Sequence, residues 1–285
     1  TMKIFIKPNF EKQNAPQCTR RVCQVLADAG AELLMDREHQ ARMGYDFIRF
    51  GERQALLEQA DLLVAVGGDG TIIHAAQDAV AHDIPVVGIN AGRLGFLAEV
   101  EPNEIGQLSR LLTGDYRVHR RMLLEAVFTS PKKKTSYLAV NDIVISDGTR
   151  ARIVDLEVYC MGTFVSSYRA DGLIFSTPLG STAYALSAGG PIVDPSLDCI
   201  ALTPICPHSL YSRTTLFSPD KQLTIRSVGT GGKTFLTVDG QDMQTITPET
   251  SVTIRCAEKS LQMVDLFGKP FYEVLNQKLV SRSRI

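Results

Sequence analysis

The chain has 285 residues, 44% apolar and 21% charged, with a formal net charge of −1. That length accommodates two domains with substantial cores. The near-neutral charge argues against a nucleic-acid footprint, which needs a basic excess, and no apolar run approaches the ~20 residues of a bilayer-spanning helix. The opening Thr1-Met2-Lys3-Ile4-Phe5-Ile6 lacks the apolar core and cleavage site of a signal peptide. Small-molecule partners and a cytoplasmic location are expected. Cys18, Cys23, Cys160, Cys199, Cys206 and Cys256 form no CxxC pair and have no His at zinc spacing, so reduced thiols without structural bonds are expected.

The first third alternates strand and helix patterns. Residues 3–7 read as a strand, 15–29 as an amphipathic helix stopped by Gly30, and 31–35 as a second strand. After a polar stretch come a helical pattern over 52–60, a buried strand over 61–66 and a helix running to Val80. A strand over 85–89 and a helix over 103–112 complete the run. This rhythm predicts βαβ units on a mostly parallel, Rossmann-like sheet. From about Arg120 the pattern changes to strands at 123–129, 137–146, 153–161, 163–169, 173–176, 223–228, 234–238 and 251–256. Turn-rich joints separate them, including Pro131-Lys132-Lys133-Lys134, Asp147-Gly148 and Gly229-Thr230-Gly231-Gly232. An all-β sandwich is expected. The helical tail at 272–279 returns to the first domain, giving an α/β domain over 1–118, joined by about 263–285, and a β-sandwich over 119–262.

Three segments carry chemistry. Gly67-Gly68-Asp69-Gly70-Thr71 lies between a buried strand and a helix, where bare glycines and helix-opening N–H groups face an anion. Gly67, Gly68, Gly70 and Thr71 are therefore the candidate phosphate cradle. An aspartate there repels phosphate unless it contacts a divalent cation or takes a proton from an attacking hydroxyl, which makes Asp69 the candidate catalytic residue. The dinucleotide pattern G-x-G-x-x-G fails, because Ile73 takes the last glycine's place. Asn90-Ala91-Gly92-Arg93-Leu94-Gly95-Phe96-Leu97 follows the next strand, at the sheet edge where open α/β folds bind ligands. The third segment, residues 171–190, packs Ser181, Thr182, Ser187, several glycines and Tyr184 at a density that suits a base and ribose. A capped helix start at Ser181 or Thr182 is the plainer reading.

With Asn141-Asp142 between the second and third segments, these motifs resemble the NAD kinase family, whose superfamily includes diacylglycerol and sphingosine kinases. The family shows GGDGT, N-x-G-x-L-G-F-L, an Asn-Glu pair and DG…STP-x-GSTAY…S-x-GGP in this order, across nearly the whole chain. Two positions depart: Asp142 stands for the usual Glu, and Leu179 where Thr is common. The resemblance implies transfer of the terminal phosphate of ATP to the 2′-hydroxyl of the adenosine ribose of NAD, assisted by Mg²⁺ or another divalent metal. It implies an NAD site drawn from Asp69, Gly70, Phe96, Asn141, Asp142, Asp171, Thr182, Ala183, Tyr184 and Ser187. It also implies a homodimer or homotetramer.

Other signals are weaker. A lipid kinase of the same superfamily would need a membrane-facing basic amphipathic helix, and none is visible. A serine hydrolase built on Ser187 and His208 lacks the elbow glycine, since Ala185 occupies it. Gly231-Gly232-Lys233-Thr234 reads as a hairpin turn, His74 as a surface or packing residue, and the basic ending 278–284 as a frayed tail.

Overall fold

The computed structural model describes residues 1–92, 95–147, 153–209, 212–228 and 234–282, without the side chains of 242, 243, 280, 281 and 282. Two compact units divide the chain: Thr1–Arg120 with Leu261–Ile285, and Arg121–Ser260.

The first unit contains β1 (Lys3–Pro8), α1 (Ala15–Asp28), β2 (Glu32–Asp36), α2 (Gln40–Met43), β3 (Ile48–Gly51), α3 (Arg53–Leu57), β4 (Leu62–Gly67), α4 (Asp69–His82), β5 (Val86–Asn90) and α5 (Arg110–Thr113). Its strands are parallel in the order β3-β2-β1-β4-β5. Every residue of β4 is buried, as expected for a strand covered on both faces. α1 turns Ala15, Cys18, Thr19, Val22, Cys23 and Leu26 inward at helical spacing, and the chain leaves it through Gly30 at φ 93°. Strand order reverses between β1 and β4, so the loops leaving those two strands open at the topological switch point. There the backbone N–H of Asn9 donates to the carbonyl of Val66 at 2.9 Å, and its side-chain Nδ2 donates to Thr71 Oγ1 at 3.0 Å.

β6 (Arg117–Thr129) leads into the second unit, which continues with β7 (Lys134–Ala139), β8 (Asp142–Ser146), β9 (Val154–Cys160), β10 (Thr163–Ala170), β11 (Gly172–Ser176), α6 (Tyr184–Ser187), β12 (Ile200–Ile205), β13 (Thr215–Phe217), β14 (Leu223–Ser227), β15 (Thr234–Val238), β16 (Gln241–Ile246) and the first part of β17 (Ser251–Asp265). One antiparallel sheet runs β13-β12-β11-β8-β15-β16; the other contains β10-β9-β14-β17, with β6 pairing β17 and β7. Alternate residues such as Leu124, Ile143, Ile145, Leu156, Leu173, Phe175, Leu223, Leu236 and Val252 fill one shared core. That is the expected sandwich. The end of β17 pairs Met263 with Val86 of β5 in parallel, and α7 (Phe271–Arg282) follows.

Several expectations shift. The polar stretch after β2 contains β3, and β12, β13 and β16 escape the alternation rule; β12 is buried at five of its six positions, so it shows no polar face to alternate with. Residues 102–109 form a 3-10 helix rather than an α-helix, with Gly106 at its centre and a capping box between Glu101 and Glu104. The single strand expected over 137–146 is two strands in different sheets. β14 and β15 also belong to different sheets, so the segment joining them is no hairpin; residues 229–233 themselves lie outside the described residues. So do Gly148, Arg93 and Leu94, and residues 283–285 of the basic ending. No described helix is long and apolar enough to cross a membrane. All six cysteines are free. The thiols buried as small hydrophobes are Cys18 and Cys23 of α1, whereas Cys206 is exposed and Cys160, Cys199 and Cys256 are half-buried.

Candidate functional site

In the first unit the turn from β4 to α4 is built for close approach. Gly67 ends the strand where any Cβ would overlap the Thr71 side chain, and Gly68, with extended backbone, is the N-cap of α4. Gly68 and Asp69 are partly exposed, Gly70 is exposed and Thr71 is buried. The N–H groups of Thr71 and Ile72 already go to the carbonyl of Gly68, at 2.9 and 3.1 Å, so the amides before them in the turn, with the helix dipole, are the ones placed to face an anion at the switch point.

Asp69 sits at the head of α4 and reaches the second motif. Its Oδ2 accepts the backbone N–H of Phe96 at 2.8 Å, and its Oδ1 that of Leu97 at 3.0 Å. Gly95 is bare for a steric reason: a Cβ there would overlap Oδ1 and Cγ of Asp69. The two amides fix the plane of the carboxylate, and each oxygen keeps a lone pair for another partner. Asn90 secures the other end of the loop, donating from Nδ2 to Glu101 Oε2 at 2.9 Å and accepting the N–H of Gly92 at 2.9 Å.

In the second unit Asp239 organises residues 140–142. Its carboxylate accepts the N–H groups of Val140 at 2.8 Å, Asn141 at 2.8 Å and Asp142 at 3.1 Å. This capture diverts the chain between β7 and β8. Asp239 and Gly240 have φ of 48° and 79° in the tight turn between β15 and β16, a turn that Asp-Gly favours. Thr177 Oγ1 donates to the carbonyl of Val140 at 2.8 Å and accepts the N–H of Gly180 at 2.9 Å. A Cβ on Gly180 would overlap the carbonyl of Asn141, so this glycine is required by packing. Register pairs Asp142 with Ser176, which brings Asn141 and Asp142 to the same end of the sheet as the turn holding Thr182 and Ala183.

The third segment does not form a capped helix start at Ser181 or Thr182. Residues Leu179–Thr182 make a 3-10 turn and Ala183 is the N-cap of α6. Tyr184 is 47% exposed and Ser187 is exposed, while Ser181 and Thr182 are buried. Asp171 stands before β11, at the opposite end from Ser176 and Thr177, so it is not gathered with the others. Ser187 closes a helix that begins eight positions after β11 ends, so the strand-to-helix elbow of a hydrolase is absent.

Asp142 is buried, and that burial, with the neighbouring charge of Asp239, pushes its carboxyl from an ordinary 3.8 up to about 7. A carboxyl whose folded value lies above its unfolded one costs the fold nothing well below pH 4; the cost grows with pH and is fully present above about pH 7. Asp142→Asn should therefore raise the melting temperature more at pH 8 than at pH 5. An equal change at both values would show that Asp142 ionises freely.

Sequence reading missed Asn9, Glu101, Asp239 and Lys278, and gave Thr177, inside the third segment, no role of its own. Only Asp239 left a signal, as an Asp-Gly turn between alternating strands.

A parallel α/β unit with a glycine-aspartate turn at its switch point, followed by a β-sandwich with a glycine-rich turn, defines a nucleotide-handling class. Comparison with known proteins narrows it. The ATP-NAD kinase N-terminal domain family matches residues 3–116, and the ATP-NAD kinase C-terminal domain family matches residues 140–266. The NAD kinase of Symbiobacterium thermophilum is 41% identical over 279 residues, 97% of this chain and 98% of that protein. That of Natranaerobius thermophilus is 34% identical over 284 residues, 99% of each. Two solved structures at 24% identity share the fold. Yeast NADH kinase complexed with NADH has a TM-score of 0.90 and covers 98% of this chain and 87% of that chain. The Archaeoglobus fulgidus NAD kinase in complex with ATP has a TM-score of 0.73 and covers 98% of both. The chain belongs to the ATP-NAD kinase family.

Proposed function

We propose that this chain phosphorylates NAD, moving the terminal phosphate of ATP to the 2′-hydroxyl of the adenosine ribose to give NADP and ADP. The observation that carries the catalytic assignment is the Asp69 carboxylate, oriented by the amides of Phe96 and Leu97 beside the open head of α4. In the proposed step the 2′-oxygen attacks the terminal phosphorus. Its proton passes to Asp69, and the bond from phosphorus to the ADP oxygen breaks. A ribose hydroxyl is far too weak an acid to attack unaided at neutral pH, so a positioned acceptor is what the chemistry needs.

The amides of Gly68 and Gly70 and the hydroxyl of Thr71, with Gly67 making room for the Thr71 side chain, would hold the donor phosphates. Asn141 and Asp142 would hydrogen-bond the adenosine portion. Thr182, Ala183, the exposed ring of Tyr184 and Ser187 would line the NAD site, Gly70 and Phe96 would border the acceptor near Asp69, and Asp171 would contact the dinucleotide's other half. Among the described residues no three metal-binding side chains come together. Mg²⁺, or another divalent cation, would ride on the donor's phosphates with Asp69 as the protein's own contribution, since Mg²⁺ commonly takes only one or two carboxylates alongside phosphate oxygens. When bound, the cation would offset charge on the transferring phosphoryl group. A cytoplasmic homodimer or homotetramer is the proposed setting, without nucleic-acid or membrane partners.

The experiment is a phosphoryl-transfer assay run with ATP and polyphosphate as donors, and with NAD, NADH and, in a separate arm, diacylglycerol as acceptors. NADP from ATP and NAD is the expected result. Phosphorylated diacylglycerol without NADP would replace this reading with a lipid kinase, and NAD binding without any product would leave a silent sensor.

A further inference from the structure

As far as Arg282 the basic ending is helical, not the frayed tail its composition implies. α7 carries Lys278 inward, where it is 4% exposed and is the one buried lysine or arginine among the described residues. Its ammonium lies 5.2 Å from the centroid of the Phe96 ring, within cation–π range. The backbone N–H of the same Phe96 donates to Asp69. Burial pushes the Lys278 ammonium below the ordinary lysine value, and the carboxylates of Asp69, Glu101 and Glu99 press it back up. All three accept hydrogen bonds, Asp69 from the amides of Phe96 and Leu97. Glu101 accepts from Asn90, and Glu99 accepts the N–H groups of Leu266 and Phe267 at 3.0 and 3.3 Å. Asp69 differs, because it stands beside the helix opening that would receive phosphate.

An ammonium taken out of water is costly unless opposite charge faces it. An aspartate beside a phosphate cradle is costly for the converse reason. One placement relieves both. We propose that Lys278 is a positioning residue of the donor site, its ammonium offsetting the charge of Asp69 so that a nucleoside triphosphate can approach the amides of Gly68 and Gly70. This rests on the reading of those amides as the donor cradle. Lys278 acts through Asp69 and the Phe96 loop rather than by touching the acceptor. Its removal should therefore weigh more on the donor, whose charge it offsets, than on the acceptor.

The test uses the full chain, with ATP binding followed by calorimetry in the presence of Mg²⁺ and with steady-state kinetics. Lys278→Met keeps the buried stem and removes the charge; Lys278→Arg keeps the charge. Lys278→Met should weaken ATP binding and raise the ATP Michaelis constant about tenfold, leaving that for NAD within about twofold. Lys278→Arg should recover ATP binding to within about threefold of wild type. In an Asp69→Asn background, the same Lys278→Met change should alter ATP affinity by less than about threefold, because the charge to be offset is gone. ATP affinity unmoved by Lys278→Met would overturn the inference. So would an equal loss in both backgrounds, or an arginine variant as impaired as the methionine one, since those are the marks of packing alone. A wild-type chain that binds no ATP would overturn the donor assignment and this inference with it; ATP binding that is intact but indifferent to Lys278 sinks the inference alone.

Discussion

Asp69→Asn should abolish nearly all NADP formation while NAD still binds. Removing a general base costs ~10²–10⁴ in rate, and losing a contact to the phosphate-borne cation could add to that. The structure adds a second consequence. Asp69 accepts two backbone N–H groups, one on each oxygen. An asparagine can accept only one of them and must point its NH₂ at the other, leaving two donors face to face. A stability loss of roughly 1–3 kcal/mol is expected on top of the chemical defect. Turnover, NAD affinity and melting temperature should be measured on one preparation. Retention of more than about a third of wild-type turnover, against the expected ~10²-fold or greater loss, would mean that Asp69 is not the base.

Gly95→Ala should be nearly as damaging although it adds one methyl group at some remove from the phosphate cradle. The glycine has no positive φ, so an alanine suits its backbone, and the nearest conflict is with the Asp69 carboxylate. Either the carboxylate swings away from the amides of Phe96 and Leu97, or the loop backs off and takes those amides with it. A displacement of about 1 Å at a reacting group can cost ~10²-fold in rate, and that is the expected fall in turnover. The fold should survive with a melting temperature lowered by a few degrees, since the overlap is confined to one side chain and one loop. Wild-type turnover in this variant would show that the clasp between Asp69 and the loop is not part of the site.

The sequence by itself determined what local rules govern. Alternation of period and a run of wholly apolar strand residues such as β4 mark a covered parallel sheet, and a glycine turn marks the start of α4. Period-two patterning from residue 123 onward marks the sandwich. These rest on neighbours a few positions apart, so a linear reading finds them. It fails where the deciding partner is remote. Residues 137–146 alternate like one strand, yet the Asp239 carboxylate, nearly a hundred positions away, takes three consecutive N–H groups and bends the chain into another sheet. Gly95 reads as one more loop glycine until Asp69, on a different helix, fills the space its side chain would need. Lys278 reads as part of a solvated basic ending until α7 turns it into the interior beside Phe96. In each case a hydrogen-bonding group, a volume or a charge must be satisfied in three dimensions, and the residue that satisfies it is chosen by the fold rather than by nearness in the chain.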